Sequence, residues 1–90
     1  MVNIKKIVLD VLKPHQPNSL EFCQTIAGVG PDYHVRLVVL EMDKNTETLQ
    51  TSIQGSSIHF EEIKIAITEM GGSIHSIDEV EVQNEIEDES

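Results

Sequence analysis

Ninety residues accommodate one domain and leave no room for a second core. A composition of 39% hydrophobic and 24% charged residues is ordinary for a globular domain and too apolar for a wholly disordered chain. Sixteen acidic residues against six basic ones give a net charge of −10, which repels phosphate backbones and anionic lipid and argues against nucleic acid or a membrane as partner.

Ile4 to Leu12 reads as a strand. Ile7, Leu9 and Val11 alternate with Val8, Asp10 and Leu12, β-branched residues are dense, and two largely apolar faces suit a central strand. Pro14 and Pro17 end it. Asn18 with Glu21 three residues on forms a capping box, and Phe22, Ile26 and Val29 make one helical stripe with Cys23 beside it. Gly30 suits the left-handed position after that helix, and Pro31 forbids its continuation. Tyr33 to Met42 is a second strand, with Val35, Leu37 and Val39 on one face and Val38, Leu40 and Met42 on the other. Asp43-Lys44-Asn45 supplies the turn to a return strand over Thr46 to Gln54, with Leu49, Thr51 and Ile53 inward. A second helix is expected from Phe60 to Met70, with Ile58 and Ile63 as its staple and Gly71-Gly72 as its stop. Ser73 to Val82 is the last strand. The domain thus spans residues 1–82, and residues 83–90 form an acidic, frayed tail.

Strand, helix, strand, strand, helix, strand, with right-handed crossovers, leads to an α+β ferredoxin-like sandwich: a four-stranded antiparallel sheet with both helices on one face. The other sheet face is bare. The second strand lies at a sheet edge with apolar residues on both sides, a liability in a monomer. Val8, Leu12, Val38, Leu40 and Met42 are therefore the expected interface of a homo-oligomer, and a short chain gains the burial it lacks by associating with itself.

Val8 to His15 (VLDVLKPH) and Gly72 to Val80 (GSIHSIDEV) resemble the signatures of a small archaeal family, domain of unknown function 211. Ile53-Gln54-Gly55 and Glu41-Met42-Asp43 are similar too, and the resemblance covers roughly residues 4–82. It implies a ferredoxin-like fold, ring-like or otherwise multimeric assembly, divalent-metal binding with calcium foremost, and no established activity. The chain departs from the family pattern at Gly28 to Asp32, at His59, where an acidic N-cap is usual and Ser57 is left to cap, and after Val80.

Among polar residues Asp10 is the most informative, because a carboxylate among aliphatics costs several kcal/mol unless paired, protonated or metal-bound. It either faces water or pairs with Lys13 or Lys6, or it contacts a metal or ligand on the bare face. Asp78 and Glu79 are adjacent on the last strand and point to opposite faces, so only one shares a site with Asp10 unless the strand is bulged. With His75 these carboxylates make a candidate site for calcium or magnesium, although no EF-hand spacing is present. His75 equally reads as a hydrogen-bonded structural histidine. Lys13 and His15 sit where the chain enters the first helix, a place that suits a small anionic ligand, or they merely order the turn. Cys23 lacks a neighbouring base and reads as a small core residue. Few aromatics and an acidic surface exclude a base-stacking sheet.

The lone Cys23 excludes an intrachain disulfide and fits a reducing compartment. The longest apolar run, Leu37 to Leu40, falls far short of the roughly 20 residues of a membrane span, and Asp10 interrupts the only apolar stretch near the N-terminus, so no signal peptide is expected. The expectation is a cytoplasmic, non-enzymatic homo-oligomer that binds a divalent ion or small ligand in a regulatory role. The alternatives are a small enzyme with its site at a subunit boundary, using Asp10, His15 or His75, and an adaptor that docks a protein by strand addition.

Overall fold

The computed structural model describes residues 1–86; positions 87–90 of the expected acidic tail lie outside the described residues. In chain order the elements are β1 (Val2–Pro14), α1 (Ser19–Ala27), β2 (His34–Met42), β3 (Thr46–Gln54), α2 (Phe60–Glu69) and β4 (Ser73–Asn84). The strands form one antiparallel sheet in the order β2-β3-β1-β4, the ferredoxin-like α+β arrangement expected from the sequence. No helix among the described residues is long and apolar enough to cross a membrane.

Alternation along the central strands sorts the two faces. Ile7, Leu9 and Val11 of β1 and Leu49 and Ile53 of β3 meet Phe22 and Ile26 of α1 and Ile63 and Ile67 of α2 in one buried cluster. Each such side chain contributes about 1.5–3 kcal/mol by leaving water. The opposite face carries no helix. Its residues line up in rows across the sheet: His34, Gln54, Lys6 and Glu81; then Arg36, Ser52, Val8 and Glu79; then Val38, Gln50, Asp10 and Ser76.

The helix ends differ from expectation in three places. Asn18 caps α1 by accepting from the Glu21 N–H at 2.9 Å, but the return arm runs between side chains, Asn18 Nδ2 donating to Glu21 Oε1 at 3.2 Å. Gly30 is not the left-handed terminator: α1 ends at Gly28, which keeps a right-handed conformation with φ −74°. Gly30 is needed because a Cβ there would stand 2.2 Å from Cε1 of Tyr33. That ring crosses Gly30 so that its hydroxyl accepts from the N–H of His59 at 2.7 Å, at the start of α2. Ser57 does not cap α2; its hydroxyl donates to Asn3 Oδ1 at 3.0 Å, and His59 makes no side-chain cap bond. Gly71, at φ +83°, does close α2 as its position predicts.

The helices are short for the sheet they cover. Ten helical residues reach about 15 Å, whereas thirteen strand residues reach about 43 Å, and the molecule measures 56 × 22 × 17 Å. The first and last strands of the chain, β1 and β4, run past their expected ends. Val2 to Ile4 pair only with Asn84 to Val82, forming a two-stranded ribbon beyond the end of β3. Residues assigned to the tail on composition are tied in: Glu85 N–H donates to the Met1 carbonyl at 2.7 Å, and Lys5 forms an ion pair with Glu85.

Candidate functional site

Lys13 follows Ile7, Leu9 and Val11 in parity and so points to the helix side, where it is fully buried. Directly opposite it on β3 stands Glu47. The Lys13 Nζ donates to the carbonyls of Pro14 at 2.9 Å and Pro17 at 2.8 Å and lies 3.1 Å from Glu47 Oε1. Its three donors are thus spent. Ser19, the first residue of α1, donates to the same carboxylate at 3.1 Å. His15 Nδ1 meets Glu47 Oε2 at 2.9 Å, while Nε2 faces the carbonyls of Asp43 and Lys44 at 3.0 and 2.9 Å. Acceptors at both ring nitrogens require both to donate, which is the imidazolium form. The hydrogen bond to Glu47, then that to the Lys44 carbonyl, raises the His15 pKa above its ordinary value; the same bond holds the Glu47 carboxyl below its own, against the opposing effect of burial. Lys13 and His15 therefore clasp the end of β1, the start of α1 and the β2–β3 hairpin.

Asp10 pairs with neither lysine expected for it. Lys13 lies on the other face, and Lys6 is engaged 2.8 Å from Glu79. Asp10 Oδ1 is enclosed yet has no hydrogen-bond partner among the described residues. Strand β4 is irregular beside it: the register with β1 shifts between Val8 and Leu9 and between Asp10 and Val11, leaving Asp78 and His75 as the extra residues. The bulge frees Asp78 from strict alternation with Glu79, and Asp78 Oδ1 accepts from Ser76 Oγ at 2.7 Å. His75 is exposed and makes no side-chain hydrogen bond among the described residues. No group of three or more His, Cys, Asp or Glu side chains able to hold a metal occurs among the described residues. Cys23 is half-buried, 3.6 Å from the Val35 carbonyl, and burial raises its thiol pKa, the opposite of an activated nucleophile.

The apolar surface is distributed differently from the expected interface. Val8 is only 7% exposed, since its neighbours on the open face include the Lys6–Glu79 pair, and Leu12 and Val38 are half-buried. Leu40 and Met42 on β2 remain 59% and 64% exposed. The other edge, β4, adds Ile77, Val80 and Val82, each about half exposed because the short helices do not reach them.

Sequence reasoning missed a cavity of about 120 Å³ on the open face, lined by Lys6, His34, Arg36, Ser52 and Gln54. Its signal was present as period-two alternation, His34 with Arg36 and Ser52 with Gln54. Only the pairing of β2, β3 and β1 reveals that these positions share a patch with Lys6. Glu47 was missed for the same reason.

The chain matches over residues 5–90 the family model described as domain of unknown function 211, uncharacterized ArCR. It is also 41% identical over 80 residues to an uncharacterized protein of Methanocaldococcus jannaschii, an alignment covering 89% of this chain and 82% of that protein. The fold, the signature stretches around Asp10 and Asp78 and both matches agree, and the chain belongs to the domain of unknown function 211 family.

Proposed function

We propose that this protein is a homo-oligomeric module whose copies join edge to edge, β2 of one to β4 of the next. The observation that carries this reading is that both edges of one sheet present unpaired backbone beside half-exposed apolar side chains: Leu40 and Met42 on β2, and Ile77, Val80 and Val82 on β4. Strand direction supports it. β2 runs parallel to β1 and β4 antiparallel to it, so copies related by an axis along the strands bring β2 and β4 together antiparallel and extend the sheet. Charge supports it as well, since β2 carries His34 and Arg36 where β4 carries Glu79 and Glu81 in the same rows. Burying about 400 Å² of apolar surface per protomer is worth on the order of 10 kcal/mol before association costs. Two different edges make a heterologous contact, which closes into a ring when the rotation permits.

Mixing tests this. Leu40→Lys blocks one edge and Val80→Lys the other, so each variant alone sediments as a monomer, while an equimolar mixture retains one intact contact and forms a 1:1 dimer. A wild-type chain that sediments as a folded monomer at micromolar concentration sinks the reading. Two variants that remain unmixed monomers place the contact elsewhere.

A further inference from the structure

The cavity on the open face is lined by two cationic side chains, a histidine, a glutamine and a serine and by no carboxylate, in a chain where acidic residues outnumber basic ones sixteen to six. Arg36, the sole arginine of the sequence, forms no ion pair among the described residues. Arginine presents five donors in a planar fork and normally finds a carboxylate, and here it does not, despite the excess of acids. The placement follows from register. His34, Gln54 and Lys6 share one row and Arg36 and Ser52 the next, so the two long cationic side chains flank the short Ser52, whose size leaves the depression between them. Lys6 is anchored by Glu79 on its far side. Arg36 is close enough for its charge to oppose that of Lys6, an interaction that an anion between them would reverse.

We propose that this cavity binds a small phosphoryl dianion, with the Arg36 guanidinium as the principal contact and Lys6, His34, the Ser52 hydroxyl and the Gln54 amide as further donors. Donors of several kinds arranged around one small floor suit a tetrahedral anion that accepts on every oxygen. Size agrees: the volume is near that of the engineered cavity of about 150 Å³ that holds benzene, enough for a five-atom anion. The site is distinct from the Lys13–His15 clasp, whose lysine donors are spent within the chain. His34 and Arg36 are also the β2 charges that face Glu79 and Glu81 of the next copy in the assembly proposed above, so phosphate and that edge contact compete for the same donors.

Inorganic phosphate, followed by calorimetry and by phosphorus NMR at constant ionic strength, is the probe. The expected result is saturable binding to the wild-type chain, at least tenfold weaker binding to Arg36→Gln and Ser52→Val, and unchanged binding to Lys64→Gln, which removes an exposed cation on α2. Sedimentation of the same samples reports whether assembly is altered. Equal affinity of the wild type and Arg36→Gln overturns the proposal, as does an equal loss in Lys64→Gln, which marks general charge attraction. Succinate binding as tightly as phosphate overturns the phosphoryl assignment. If Arg36→Gln dissociates the assembly and no phosphate binds, the proposal also fails, and Arg36 belongs to a contact with a neighbouring copy.

Discussion

The clasp at the hairpin end and the cavity on the open face are built from the same residue types and reach opposite states. At the clasp, Lys13 and His15 surround Glu47, and every lysine and imidazole donor has an acceptor between 2.8 and 3.1 Å. At the cavity, Arg36 and His34 have no carboxylate among the described residues. Burial explains the difference. Lys13 is fully enclosed, and an enclosed charge without a partner costs too much to persist. Arg36 is exposed, so water satisfies it and its unspent donors cost the fold nothing. Saturated donors hold the chain together; unsaturated ones are free to meet a ligand.

The largest expected effect breaks the saturated side. Glu47→Ala leaves Lys13 enclosed without its counter-charge and sets His15 near it with no anion between them. The expected cost is about 3–5 kcal/mol, read as a fall in Tm of more than about 12 °C. A loss under about 1 kcal/mol would mean that the cluster is solvated and that the contrast with the cavity does not hold.

The pH dependence sharpens the same point. His15 has its pKa raised by Glu47, so its contribution is complete below the ordinary imidazole value of about 6.5 and fades as pH rises through the raised value. Glu47 has its pKa lowered, so its contribution is complete above the ordinary value of about 4.3 and fades as pH falls through the lowered one. Stability of the wild type should therefore decline above neutrality, and His15→Gln should flatten that decline. The acid limb should survive His15→Gln in part, because hydrogen bonds and ion pairing also hold the Asp32 and Glu85 carboxyls low through Ser56 and Lys5.

Much of this is legible in the sequence. The alternation of Ile7, Leu9 and Val11 located a central strand, Asn18 the start of a helix, and Gly71 its partner's end. Parity alone puts Lys13 on the buried face, yet its partner stayed hidden, because Glu47 is 34 positions away and only the β1–β3 register sets the two opposite each other. The same holds for Arg36 and Lys6, which meet across β3 through no sequence spacing. Bulges at Asp78 and His75 left no mark in residue type, with neither glycine nor proline beside them. Gly30 departs from its expected role for a different reason: its lack of a side chain makes room for the Tyr33 ring, a residue-to-residue packing demand, whereas the local pattern suggests a left-handed backbone.

Asp10 stands between the two regions and gives a smaller effect of opposite sign. One oxygen is enclosed without a partner, so its desolvation is uncompensated. Asp10→Val should raise stability by about 1 kcal/mol in the presence of a chelator. If calcium instead stabilises the wild type and not this variant, the enclosed oxygen has a cation for a partner.

The smallest expected effect belongs to the cavity. Arg36→Gln removes no ion pair found among the described residues and empties no core space, so in phosphate-free buffer its stability should match the wild type within about 0.5 kcal/mol. Lys6→Met is the paired control: it breaks the contact to Glu79, and because that pair is partly exposed to water on the open face the Tm should shift little. Adding phosphate should then separate the variants that buffer alone does not, raising the Tm of the wild type and leaving that of Arg36→Gln where it was. A wild-type Tm that ignores phosphate would make Arg36 an ordinary solvated cation, and the open face would owe its charge to the pairing of copies rather than to a ligand.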